Sequence, residues 1–343
     1  MNTRHTIINC DSKDTTEYIQ DKTIGLIITS PPYPMIEMWD GMFSSQNEKV
    51  RESLIEGNYV DAFEGMHEVL DAVWEDIDRI LIDGGIVCIN VGDATRNCNG
   101  RFKLLSNHSR IISKFVSMGY DVLPDIHWRK PTNAPNKFMG SGMYPPNAYV
   151  TYEHEYILIF RKGPNRVFDK AEKQTRYNSA YFWEERNIWF SDLWEIKGAA
   201  QKLNAGAMRS RSAAFPFELA YRLVNMYSIK GDMVYDPFMG TGTVVKASMA
   251  CERNSIGVDI DGELCKSALN DIKQSRNELN AYIQDRVERH VRFIEEQPLL
   301  KKEKFYQNIH HSFKVKTMQE KEIVIRQIKS IKFLGDVILC EYE

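Results

Sequence analysis

Three short stretches combine residues able to do chemistry with a spacing that could use them. The first is Thr29-Ser30-Pro31-Pro32-Tyr33, directly after the apolar run Gly25-Leu-Ile-Ile-Thr29. In open α/β sheets, ligands sit beyond the carboxyl ends of the strands. Proline has no N–H and a fixed φ, so the carbonyls around Pro31 and Pro32 are free of ladder duty and can face a substrate. The Ser30 hydroxyl adds an acceptor and the Tyr33 ring a stacking face. A plain proline-terminated turn would use the same residues.

The second stretch is Val234-Tyr235-Asp236-Pro237-Phe238-Met239-Gly240-Thr241-Gly242-Thr243, followed by a helical pattern. Strand, Gly-x-Gly and helix make a nucleotide-type loop, in which glycines allow close backbone approach and a helix N-terminus favours polar groups. The third glycine of a dinucleotide fingerprint is missing, because Val245 stands in its place, and this weakens a nicotinamide or flavin reading. The third stretch, Ser255-Ile-Gly-Val-Asp259, ends the next apolar run, with Asp259 placed 17 residues after Gly242. An acid there can accept from both hydroxyls of a ribose. A lone aspartate after a strand also serves as a helix cap.

The elements that must carry these residues are readable from periodicity. Apolar runs at Thr6–Asn9, Gly25–Thr29, Ile86–Val91, Tyr156–Arg161, Met233–Tyr235 and Ser255–Val258 read as buried strands of a mostly parallel sheet. Helical spacing covers Tyr59–Leu81, Phe217–Tyr227 and Thr243–Cys251. Alternating strand and helix predicts a doubly wound α/β fold. Residues 163–212, rich in aromatic and basic groups, read as an insertion. Residues 276–304 read as a charged helical stretch, and the remainder to 343 as a small appendage.

The chain of 343 residues has 44 basic and 47 acidic groups, a formal charge of −3 that argues against a simple nucleic-acid coat protein. The distribution is uneven. Residues 1–126 carry −9, residues 127–230 carry +7 and residues 231–343 carry −1. The basic middle is a candidate polyanion patch or a solvated face. The six cysteines form no CxxC pair, so no metal site is expected. Their scatter, the absence of an apolar signal core and the absence of a long apolar span predict a cytoplasmic protein with no membrane segment.

Taken together, the motifs resemble the DNA amino-methyltransferases that use S-adenosylmethionine (AdoMet). The family's catalytic motif, (D/N/S)PP(Y/F), matches Ser30-Pro31-Pro32-Tyr33, and its cofactor motif, DPFxGSG, matches Asp236 to Gly242 with Thr241 in place of serine. Phe215-Pro216 resembles the family's Phe-Pro before a helix. Asn9-Cys10-Asp11 resembles its adenine-contacting turn, and Gly84 to Asn90, His127 to Pro131 and Glu153 to Lys162 resemble further family strands. The catalytic motif precedes the cofactor motif, which is the permuted β order.

The resemblance covers about residues 1–275. It implies a Rossmann-like class I methyltransferase fold with a seven-stranded sheet. Residues 1–162 would form the catalytic part, 163–212 a target recognition insertion, 213–275 the AdoMet-binding part and 276–343 the appendage. Asp11, Phe215, Asp236, Phe238, Gly240, Thr241, Gly242 and Asp259 would hold AdoMet. Ser30 and the Pro31 carbonyl would accept from the target amine, while Tyr33 stacks on a flipped-out base. Double-stranded DNA would be met by Arg166, Lys173, Arg176, Arg186, Lys202, Arg209 and Arg211, although most aromatics of that insertion read as its core. A serine in first place points to N4 of cytosine. Adenine N6 methylation and a catalytically inactive DNA-binding module are the alternatives. A companion restriction endonuclease is the partner the family implies.

Overall fold

The structure is a computed structural model that describes residues 2–130, 139–198 and 215–343. One ten-stranded sheet organises these residues. In chain order its strands are β1 (Asn2–Asn9), β2 (Ile24–Thr29), β3 (Leu81–Val91), β4 (Asp121–Arg129), β5 (His154–Arg161), β6 (Leu193–Glu195), β7 (Met233–Asp236), β8 (Asn254–Asp259), β9 (Ile328–Leu334) and β10 (Val337–Tyr342). Across the sheet they run β6-β4-β5-β3-β2-β7-β8-β1-β10-β9. The strands from β3 through β1 are parallel, while β5 runs against both β3 and β4. The expected seven strands form the centre, and β6 on one side and β10 and β9 on the other extend it.

The helices follow from their apolar spacing. The two short helices α1 (Asp40–Gln46) and α2 (Glu48–Glu56) lead into α3 (Tyr59–Ile80), which buries Ala62, Met66, Leu70, Val73, Trp74, Ile77 and Ile80 on one stripe. The stripe and α4 (Asn107–Ser117) cover one face of the sheet, with Trp74 and Phe115 fully enclosed. At ~25 cal/mol per Å² of apolar surface, each such ring contributes roughly 3 kcal/mol or more of transfer free energy. After α5 (Lys170–Asn178) and α6 (Trp183–Trp189), the other face is covered by α7 (Phe217–Tyr227), α8 (Thr243–Ala250), α9 (Gly262–Gln274) and α10 (Arg276–Glu295).

Two segments expected to stand apart are instead part of this body. Within 163–198, Trp189 and Trp194 enter the main core, and β6 pairs with β4 through Trp194 and Trp128. The Arg286 guanidinium of α10 binds both carboxylate oxygens of Glu185 on α6 at 2.6 and 2.7 Å, and His290 stacks on Phe182. The tail is equally committed. Residues Asn2–Thr6 of β1 pair with Val337–Glu341 of β10, which covers an otherwise open strand edge. Arg326 joins the buried Lys230–Glu252 pair, so the tail also closes an ion network. The sequence reading of this stretch as a small appendage does not show the sheet it joins.

Candidate active site

The three chemical motifs meet at one rim of the sheet. Ser30 follows β2, the Asp236 loop follows β7 and Asp259 ends β8; these three strands are neighbours and parallel. Their carboxyl ends open on a cavity of ≈ 660 Å³. Asp11, Ser30, Pro32, Phe215, Asp236, Phe238, Gly240, Thr241 and Asp259 all line it. Gly242 sits at the start of α8 with φ +79, and Gly240 has φ +53. Both are left-handed positions that a side chain would strain.

The loop is held from within. Asp259 accepts from the Gly240 N–H at 2.9 Å and from the Asp261 N–H at 2.9 Å. Its carboxylate thus ties the glycine loop to the end of β8. Asp261 caps α9 by accepting from the Glu263 and Leu264 N–H groups. Asp11 holds Lys13 at 3.3 Å, and the neighbouring Ser12 hydroxyl donates to the Pro237 carbonyl. Met38 from the turn before α1, Met42 from α1, and Val69 and Val73 from α3 add an apolar wall that no sequence motif announced.

Asp236 is buried, accepting from the Thr29 hydroxyl at 2.7 Å and the Phe238 N–H at 3.1 Å. Burial first, and then the charge of Asp259, push its carboxyl up to about 7, against those two hydrogen bonds. Because the folded pKa lies above the unfolded one, the folded state binds the extra proton. Stability is therefore fullest at low pH and declines as pH rises through about 7. Asp236→Asn retains an acceptor without the charge. Its unfolding free energy relative to the parent chain is expected to gain roughly 2–3 kcal/mol between pH 5 and pH 8. Thermal unfolding across that range checks this, and a pH-independent difference would refute the assignment.

The catalytic stretch is built around a hydrogen-bond chain. Tyr33 donates its phenolic proton to Glu155 Oε2 at 3.0 Å. Asn90 Nδ2 donates to the Tyr33 oxygen at 2.7 Å and to Glu155 Oε2 at 2.7 Å. Lys130 forms an ion pair with Glu155. Burial, and next the Glu155 charge, hold the Tyr33 phenol far above its usual range, so it keeps its proton. With that proton given to Glu155, the 3.0 Å contact between Ser30 and Tyr33 must be one in which Ser30 donates. The Ser30 oxygen is also approached by Asn90 Nδ2 at 3.5 Å, and Ser30 stands at the cavity wall. Asn107, fully buried, donates to the carbonyls of Pro34 and Gly92 and fixes the turn that follows.

Some expected roles are placed differently. The Tyr33 ring is packed in the core, only 8% exposed, and does not line the cavity; Pro31 is also enclosed. Arg166 and the helix bearing Lys173 and Arg176, assigned to DNA, do not lie at this rim. Arg166 binds Asp232 at 2.8 Å and Glu172 at 3.2 Å. Asp232 precedes β7, so that pair lies at the opposite rim from Ser30. The helix bearing Lys173 and Arg176 is tied to the same end, where Ser179 accepts from the Lys230 N–H. Arg176 stacks over Phe168 and Arg186 over Phe190. Lys202, Arg209 and Arg211 lie outside the described residues.

Asn90, Lys130 and Glu155 were not singled out from the sequence as site residues. Their signal was a polar group at the end of a buried run, as at Asn90, or a carboxylate entering one, as at Glu155. Among the described residues no cluster of His, Cys, Asp and Glu is arranged to hold a metal, and no helix is long and apolar enough to cross a membrane.

Comparison with known proteins fits this geometry. The DNA methylase family profile for N6 and N4 enzymes matches residues 24–270. The type II methyltransferase M.MthZI of Methanothermobacter thermautotrophicus is 50% identical over 341 residues, covering 97% of this chain and 94% of that protein. The type II methyltransferase M.MjaI of Methanocaldococcus jannaschii is 48% identical over 279 residues, covering 77% of this chain and 89% of that one. TTHA0409 of Thermus thermophilus, solved with S-adenosyl-L-methionine, superposes with a TM-score of 0.60 at 27% identity, over 79% of this chain and 95% of that one. The PvuII cytosine-N4-specific DNA methyltransferase shares the fold, with a TM-score of 0.52 at 17% identity over 78% and 86% of the two chains. The fold is that of the class I AdoMet-dependent DNA methyltransferases, and the chain belongs to the DNA methylase family of N6 and N4 amino-methyltransferases.

Proposed function

We propose that this enzyme methylates the exocyclic N4 of a cytosine flipped out of double-stranded DNA. The observation that carries the base assignment is Ser30 in first place of the Pro-Pro motif, standing at the cavity wall. The type II designation of the relatives supports site-specific modification beside a restriction endonuclease.

The cavity suits AdoMet by its chemistry. Asp259 presents a carboxylate to ribose hydroxyls and Asp11 a carboxylate to an adenine amine. Asp236, Phe215 and Phe238 line the same cavity, and Gly240 brings backbone close, while Gly242 faces α9. When bound, AdoMet supplies an electrophilic methyl group.

The exocyclic amine of cytosine is a poor nucleophile, because its lone pair is delocalised into the ring. Ser30, at the cavity wall, accepts from an N–H of that amine and aims the lone pair across the pocket. This preorganised acceptor also meets the positive charge that develops on the nitrogen. The Ser30 hydroxyl is itself a poor base, so the surplus proton leaves to water after transfer. None of the cysteines follows a proline, which separates this chemistry from carbon-5 methylation with its thiol nucleophile.

Nucleoside mass spectrometry of DNA treated with the enzyme and AdoMet tests the reading. N4-methylcytosine is the expected product. N6-methyladenine as the sole product would replace it with the adenine reading, and binding without methylation would point to an inactive module.

A further inference from the structure

Two stretches of the sequence lack acidic residues. Residues 94–120 contain five basic residues and no acidic one, and residues 126–152 contain three basic residues and no acidic one. This is unusual in a chain with 47 acidic groups, and the first zone lies inside the segment of net charge −9. The two zones meet in space: Phe102 stacks on Tyr149, with ring centroids 5.0 Å apart and planes within 18°.

Phe102 belongs to a two-stranded ribbon, Ala94–Cys98 with Arg101–Leu105. The ribbon starts three residues after β3 ends at Val91, and β3 lies beside the strand that carries Ser30. Its inner strand is anchored: Arg96 holds Asp40 with two bonds, at 3.0 and 2.6 Å, and Asn99 donates to the Gly57 carbonyl. Its outer strand is bare. Phe102 is 42% and Leu104 50% exposed, and Tyr149 is 44% exposed.

Most cations of the two zones are committed. Arg96, Arg110, Lys114, Arg129 and Lys130 all sit in ion pairs. Among the described residues of the zones, Arg101 and Lys103 have no ion-pair partner. These two alternate with the exposed apolar pair, giving Arg101-Phe102-Lys103-Leu104 on one open strand.

We infer that this ribbon is the DNA-contacting arm of the enzyme: Arg101 and Lys103 neutralise phosphates, and the Phe102–Tyr149 pair presses into the groove beside the target base. The assignment rests on DNA being the substrate. Two cations without an ion-pair partner, on a strand that carries no acidic residue, fit a duplex. Exposed stacked rings beside them fit bases opened near the flipped nucleotide. A two-stranded ribbon is narrow enough to enter the major groove.

The test compares three variants of the full chain, using anisotropy of a fluorescein-labelled, mixed-sequence DNA duplex across a salt series. Arg101→Ala with Lys103→Ala is expected to lower the slope of log affinity against log salt by about two. Phe102→Ala is expected to weaken binding about tenfold with the slope unchanged, and Phe102→Tyr to restore it. AdoMet affinity and melting temperature, measured alongside, are expected to stay at the parental values and so separate lost contact from lost folding. Parental DNA affinity and slope in both alanine variants would overturn the assignment, as would a change confined to oligomeric state in sedimentation. A parent chain that binds no duplex would instead overturn the DNA reading itself, and the ribbon's role with it.

Discussion

Ser30→Ala is expected to slow methyl transfer by about 100-fold or more while leaving AdoMet affinity near its parental value. The expectation follows from what the hydroxyl touches. Its proton is engaged with Tyr33 at 3.0 Å, and the residue lines the cavity. Loss of one preorganised hydrogen-bonding group at a developing charge typically costs ~10²–10³ in rate. The cofactor loops lie on β7 and β8 and do not depend on Ser30 for their geometry. Single-turnover transfer of a tritiated methyl group measures the rate, and calorimetric titration measures the affinity. Full activity in the variant would remove Ser30 from the mechanism. A large loss of cofactor affinity would mean that it acts elsewhere.

The second large effect is at Asp259. Asp259→Ala is expected to weaken AdoMet binding by roughly 100-fold or more. A carboxylate accepting from two hydroxyls makes charge-assisted bonds worth about 1.5–3 kcal/mol each. The same side chain holds the Gly240 N–H, so its loss also releases the loop that brings backbone to the ligand. Asp259→Asn keeps an acceptor and is expected to fall between the two. Equilibrium binding of AdoMet to the three proteins, without DNA, makes the comparison. Unchanged affinity in the alanine variant would defeat the ribose assignment.

The chemistry was largely legible in the sequence because it sits on short, contiguous motifs. Ser30, Asp236, Gly240 and Asp259 each follow a buried apolar run, and such runs announce both the strand and its ligand-facing end. The helix over Phe217–Tyr227 was legible to its boundaries, since apolar spacing and the preceding proline coincide. What escaped was whatever depends on pairing between distant segments. Glu155 meets Tyr33 across 122 positions of sequence. Nothing local to Glu155 marks it, because a carboxylate at a strand entrance is equally suited to solvent.

Charge counting is incomplete for a related reason. The net charge of residues 127–230 says how many cations are present, while partners decide how many remain free. Arg166 looked available in sequence and is spent on Asp232 and Glu172. Arg101 and Lys103 lay hidden in a segment of opposite sign. The Tyr33 ring illustrates a subtler limit. Its motif predicts a stacking face, yet its hydroxyl is what the surroundings grip, and the ring is drawn into the core.

The pairing of β1 with β10 has a consequence for how the molecule is made. Residues 2–6 emerge from the ribosome more than 330 positions ahead of their partners at 337–341. Once β8 has paired with β1, the outer edge of β1 must wait for those partners with unpaired N–H and C=O groups. Such an edge is a template for another chain. The final strands therefore act as a closing stitch. The moment of their arrival separates a sheet that can recruit a neighbour from one that is finished.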